Sequence, residues 1–167
     1  MKNIGILVVS INKNMELALS IQKVIAELDT KSEVINLVAL DLPMYTSIIE
    51  DEKGIPPEVT QLAKKLQIFD ALIIVSPEYN GSMPPVLNNA IAWVSHAGDD
   101  FKAIFNQKFI ALASHSGGGG MRGNDAVRAM FSYIGANVLS REIINNNSKS
   151  YKKETVESIV NELLAYS

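Results

Sequence analysis

The chain has no cysteine among its 167 residues. Disulfides, a thiolate nucleophile and thiolate metal ligands are therefore excluded. A reducing compartment is compatible, and the cytoplasm is the expected location. Long apolar runs are also missing. Ile4 to Val9 is about a third of the roughly 20 residues that a membrane span requires, and it lacks the small-residue cleavage site of a signal peptide. No membrane span is expected. Positive charge is not in excess: 15 Lys and Arg face 18 Asp and Glu, for a net charge of -3. No basic stripe of the kind a nucleic-acid binder carries is present. There are two histidines, His96 and His115, and no His, Asp or Glu spacing suggests a metal site. Ser10 and Ser82 lack the Gly-x-Ser-x-Gly context of a hydrolase nucleophile.

What is present is a core. Hydrophobic residues make up 47% of the chain, too many for disorder, and the length favours a single domain, 1–167. Short apolar runs alternate with helical patterns. Strands are predicted over Asn3–Val9, Glu33–Leu37, Ala71–Ser76 and Phe109–Ala113, with a fifth starting at Asn137–Leu139. The unbroken apolar character of Ala71–Ser76 indicates burial on both faces. The near-3.6 spacing of Leu17, Ile21, Val24, Ile25 and Leu28 predicts a helix over Asn14–Leu28. Further helices are expected over Glu58–Phe69, with Pro57 in the first turn, over Val86–Ala97, stopped by Gly98, from an Asn124 or Asp125 cap to Ile134, and over Lys153–Ala165. Asp41–Pro57 reads as irregular. Five strands alternating with five helices predict an α/β fold: one parallel sheet covered on both faces.

In a doubly wound sheet the first, third and fourth strands end side by side, and ligands sit at that edge. An unusual loop follows each of the three. In Ser10-Ile11-Asn12-Lys13-Asn14, a helix N-terminus with free N–H groups favours an anion. Ser10, Asn12 and Asn14 are candidate phosphate donors and Lys13 a candidate counter-charge; the alternative is that Asn12 or Asn14 only caps the helix. Pro77-Glu78-Tyr79-Asn80-Gly81-Ser82 offers an aromatic face, an amide, a hydroxyl and a glycine that admits close approach; the alternative is a plain proline-bounded turn. The third loop, Ser114 to Gly123, holds four consecutive glycines, more than a turn needs. A run such as Ser116, Gly117, Gly118 and Gly119 can form an anion-binding nest; a flexible surface loop is the alternative. His115 reads as a spacer or supporting donor, His96 as a helix-end residue. Arg122 reaches either a nucleotide phosphate or solvent. Helix Val86–Ala97, with Trp93, is apolar on more than one face, which suggests packing against the sheet and a second subunit, or else deep burial within one chain.

Pro77-Glu78-Tyr79-Asn80-Gly81-Ser82, continuing through Pro84, Leu87 and Asn89-Ala90-Ile91 to Trp93, resembles the NAD(P)H-dependent FMN reductases, a group that includes quinone, azo-dye and chromate reductases. Asp41-Leu42-Pro43-Met44-Tyr45 and Ser116-Gly117-Gly118 through Gly123 resemble two further motifs of that family. The resemblance implies a flavodoxin-like fold with strand order 2-1-3-4-5. It also implies FMN held by Tyr79, Asn80 and Gly81 at the ring, with Pro77, Glu78 and Ser82 shaping or contributing to that loop, Ser116 and Gly117–Gly119 at the pyrimidine edge, and Ser10, Asn12, Lys13 and Asn14 at the phosphate. NADH or NADPH would serve as co-substrate and a flavin, quinone or similar small molecule as acceptor, with ping-pong turnover by a homodimer or homotetramer. No protein residue is needed as a catalytic group, since the flavin carries the chemistry. The first loop departs from the family's Gly-Ser, arginine and second Ser, showing Val9-Ser10, Asn12 and Met15 instead. Losing the guanidinium removes a bidentate grip on phosphate. An electron carrier, or a non-catalytic flavodoxin-like module with weakened FMN binding, is the alternative.

Overall fold

The computed structural model describes residues 2–98, 100 and 102–167. Five parallel strands, β1 (Asn3–Val8), β2 (Lys31–Asn36), β3 (Ala71–Val75), β4 (Phe109–His115) and β5 (Asn137–Asn145), form one sheet in the order β2-β1-β3-β4-β5. Alternation along the inner strands sorts side chains to two faces. Leu7, Leu72, Ile74, Ile110 and Leu112 pack beneath α3 (Pro57–Ile68), α4 (Pro85–Val94) and α6 (Met121–Tyr133). Ile4, Ile6, Val8, Ile73, Val75 and Ala111 pack beneath α1 (Lys13–Glu27) and α7 (Lys153–Tyr166). Every residue of β3 is buried, whereas the edge strands β2 and β5 are largely half-exposed.

Four expectations are corrected. The stretch expected to be irregular contains a 3-10 turn, Val38–Leu40, and a helix, α2 (Ser47–Lys53), whose first turn is held by Thr46 accepting from the Ile49 amide at 3.1 Å. A short helix, α5 (Lys102–Phe105), precedes β4, so the described residues hold seven α-helices rather than five. Helix α4 ends at Val94, and turns carry the chain on to Gly98. Helix α6 starts at Met121 with Gly120 as its cap, not at Asn124 or Asp125. Asn124 instead lies buried inside the helix and donates to Glu142 Oε2 at 2.8 Å.

Glu142 belongs to a local solution of a strand irregularity. The β4–β5 register shifts between Ile110 and Leu112, so carbonyls of β5 lose their ladder partners there. Arg128 on α6 donates to Val138 O at 3.2 Å, to Leu139 O at 2.7 Å and to Glu142 Oε1 at 2.7 Å. The bulge and the start of α6 are thus fixed to each other. At the opposite, amino end of the strands, Lys108 donates to the Leu66 and Phe69 carbonyls at the end of α3, at 2.5 and 2.7 Å. Burial lowers its ammonium to about 8.

Candidate functional site

Main-chain bonds continue past the strand ends: Val9 N–H donates to Val75 O at 3.2 Å and Ser76 N–H to Ala113 O at 2.9 Å. The first, third and fourth strands therefore finish level, and their three loops leave from one edge.

The second loop is a miniature hairpin. Tyr79 and Ser82 exchange both main-chain bonds, at 2.9 and 3.0 Å, around Asn80 (φ 53°) and Gly81 (φ 73°). Two successive positive φ values define the type I′ turn for which Asn-Gly is the preferred pair. The turn holds Tyr79 at 49% exposure, with Asn80 and Ser82 also exposed. Pro77 is buried, so it shapes the loop and offers no ligand surface.

Glu78 ties this hairpin to the third loop. Its amide donates to Ser116 Oγ at 2.7 Å, and its carboxylate accepts from the Gly123 amide at 3.1 Å. Gly123 permits that approach, because a Cβ there would lie 3.1 Å from Glu78 Cα. Arg122 lies over the hairpin tip: a Cβ on Gly81 would meet its Cδ at 3.6 Å.

The glycine run divides in two. Gly119 and Gly120 are buried with φ of 89° and 77°. The Gly119 amide donates to Ser116 O at 3.0 Å, so the expectation that Gly119 presents its N–H to a ligand is corrected: a turn consumes it. At Gly120 a Cβ would fall 2.2 Å from Ser114 Oγ. Gly117 and Gly118 are different. Both are exposed, and a Cβ on either would meet nothing within 4 Å. Their backbone is the open part of the nest.

The first loop is sparser. Asn12 caps α1 without a side-chain bond, and its carbonyl accepts from Met15 and Glu16. Lys13, expected as a counter-charge, is paired at 2.8 Å with Glu16 on the helix surface. Asn14, expected as a phosphate donor, is corrected: it is 3% exposed, and both ends of its amide bond the main chain of His115. Ser10 remains half-exposed at the strand end. His115 keeps a buried Nδ1 with no partner among the described residues.

A clamp that sequence reasoning missed covers α4. Trp93 is fully buried and donates to Pro43 O at 2.7 Å. Asn89 accepts from the Tyr45 amide at 2.7 Å and donates to Pro43 O at 3.0 Å. The Tyr45 ring meets Trp93 edge-on at 5.0 Å, and its hydroxyl bonds Glu50 at 3.0 Å and His96 Nε2 at 2.9 Å. Burial, then the Glu50 bond, raises the Tyr45 phenol above its ordinary value. His96 is therefore part of a polar cluster as well as a helix-end residue. The Trp93 side of α4 is covered by the chain's own 43–45 loop.

A doubly wound parallel sheet in the order 2-1-3-4-5, with three loops gathered over its carboxyl edge, defines a flavodoxin-like protein. The NADPH-dependent FMN reductase model matches residues 3–150, and the chain belongs to that family. It is 34% identical over 103 residues to a quinone reductase of Escherichia coli, a match covering 60% of this chain and 53% of that protein. A quinone reductase of Pseudomonas putida is 33% identical over 118 residues, covering 68% of this chain and 61% of the relative. The matched stretch thus spans little more than half the length of these relatives. In fold the chain is similar to FerB, a flavoenzyme NAD(P)H:(acceptor) oxidoreductase from Paracoccus denitrificans, with a TM-score of 0.76 at 20% identity over 99% of this chain and 97% of that one. It is also similar to an azoreductase from Bacillus anthracis, with a TM-score of 0.62 at 16% identity over 99% and 98%.

Proposed function

We propose that the chain is an FMN-dependent NAD(P)H oxidoreductase that reduces a flavin, quinone or similar flat acceptor. The observation that carries this reading is the Tyr79–Ser82 hairpin locked to the glycine loop through Glu78, in a chain of this family. The residues fit the cofactor. Exposed Tyr79, the open backbone at Gly117 and Gly118, and the amides of Asn80 and Gly81 would meet the ring and its polar rim. Ser10 and the amides at the start of α1 would take the phosphate, with Lys13 adding charge. Bound FMN would supply the chemistry, accepting hydride from NADH or NADPH and passing it to the acceptor by ping-pong turnover.

The chain's own part is to bind, orient and polarise. The Gly117 and Gly118 amides would stabilise negative charge at the pyrimidine edge, as preorganised donors do elsewhere. The hairpin would cover one face of the ring and leave the other to two flat substrates in turn. This reading treats residues 1–167 as one folding unit and places it in a compartment supplied with reduced nicotinamide, the cytoplasm. A homodimer or homotetramer is part of the proposal, supported by Met44, 64% exposed beside Pro85 and Ala92 of α4, and by Ile48 on α2, 67% exposed.

An electron carrier or flavin-binding module with weak FMN affinity is the second reading. It is favoured by one observation, the first loop's lack of a guanidinium and the Lys13–Glu16 pair. FMN titration followed by NAD(P)H oxidation with flavin and quinone acceptors separates the two. Steady turnover supports the enzyme. Binding without turnover leaves the module, and no spectral change of FMN at high protein concentration ends both.

A further inference from the structure

We propose that Asn14 is a positioning residue that couples the phosphate side of the cradle to its ring side; the functional part of this inference rests on the FMN reading above. Asn14 stands in the first turn of α1 and is 3% exposed. Its Nδ2 donates to His115 O at 2.9 Å, and its Oδ1 accepts from His115 N–H at 2.8 Å. An Asn side chain carries the same donor and acceptor pair as a peptide group. It therefore acts as one more rung of sheet at the last residue of β4, past the Ser76–Ala113 bond where β3 ends. The next residue is Ser116, whose hydroxyl accepts from Glu78 and whose carbonyl accepts from Gly119. A continuous run of bonds thus joins the start of α1 to the base of the glycine loop and on to the Tyr79 hairpin. Nothing else among the described hydrogen bonds links the first loop to the third.

The coupling follows from the cost of breaking it. Without Asn14, two main-chain groups of His115 lose their partner, and buried polar groups so stranded are costly. The strand end and the helix start would part to let water in, moving the phosphate donors and the ring donors relative to each other.

Two variants test this. Asn14→Leu removes both bonds; Asn14→Asp keeps the acceptor for His115 N–H but faces its carbonyl with a carboxylate. Amide hydrogen exchange is measured on the flavin-free protein, and affinity for FMN and for riboflavin, which lacks the phosphate, on the same samples. Exchange over 10–16 and 113–120 should quicken together, about ten-fold, while 71–76 stays protected. Riboflavin affinity should fall along with FMN affinity, by about ten-fold in Asn14→Leu and less in Asn14→Asp. Faster exchange confined to 10–16, or a riboflavin affinity that does not move while FMN affinity falls, overturns the proposal. A wild-type protein that binds neither flavin sinks the functional reading alone, since the exchange experiment decides the coupling without any ligand.

Discussion

The two sides of the cradle are built to different standards. On the ring side, the hairpin is closed by paired main-chain bonds, its base is bonded to Ser116, and its carboxylate holds the first turn of α6. Each part is fixed by at least one other. On the phosphate side, the Asn12 cap makes no side-chain bond, and Lys13 is spent on Glu16, with both side chains more than 60% exposed. An exposed pair of this kind contributes little and yields readily to a competing anion. On the proposed reading, the contrast predicts where affinity for FMN resides. A site whose donors are held in place loses little entropy on binding; on the phosphate side Asn14 anchors the start of α1 to β4, but the exposed Lys13 must still leave Glu16 to meet a ligand. Most of the discrimination should therefore lie in the ring, and the phosphate should add less than it does where an arginine grips it.

The glycine run offers the sharpest ways to break that contrast. Gly120→Val places a Cβ against Ser114 Oγ at a position with φ of 77°. Backbone strain and overpacking together should remove about 2–6 kcal/mol, a large part of a domain's stability. Urea unfolding reads this directly, and an unchanged midpoint would mean that the loop has another low-energy form. Gly118→Val should do the reverse. With nothing within 4 Å of its Cβ, the fold should keep its Tm to within about 2 °C. FMN and riboflavin affinities should both fall about ten-fold or more, because the side chain occupies the ring's approach. If FMN binds this variant normally, the ring edge does not lie on Gly117 and Gly118.

These two glycines show what the sequence disclosed and what it withheld. Four in a row marked the loop as special, but only tertiary neighbours separate Gly120, crowded by Ser114, from Gly118, which faces open space. The inner strands were legible because burial on both faces leaves only apolar residues, as in Ala71 to Val75. Strand β5 showed only its start, since an edge strand with a bulge alternates polar and apolar residues irregularly. Helix α2 has only Ile48 and Ile49 to signal an apolar side, too little for periodicity. The start of α6 was misplaced because Gly120 and Gly123 look like helix breakers; one caps in the left-handed region, and the other is kept by contact with Glu78. The turn at Asn80 and Gly81 was legible from local turn chemistry, which needs no distant partner. Asn14 was assigned to phosphate because a polar residue at a helix start normally faces solvent, and its true partner lies 101 positions away. The Tyr45, Glu50 and His96 cluster was hidden in the same way, since His96 stands 51 positions from Tyr45.

The phosphate side can be strengthened rather than broken. Asn12→Arg places a guanidinium beside the free amides at the start of α1, and FMN should bind about ten-fold more tightly, an effect that fades with added salt. Riboflavin, read in parallel, should not change. A gain shared by both ligands would show that the arginine had reached the ring instead. The smallest effect tests the resident cation. Glu16→Gln frees Lys13 from its partner at 2.8 Å and removes a negative charge one turn from the phosphate position. FMN affinity should rise about two-fold, in keeping with the worth of an exposed pair. The helix itself should weaken slightly, because an acidic residue in the first turn favours the dipole. Tighter FMN binding in a marginally less stable protein is a combination that improved folding alone does not produce. Equal gains for riboflavin, or none for FMN, would mean that Lys13 does not face the phosphate.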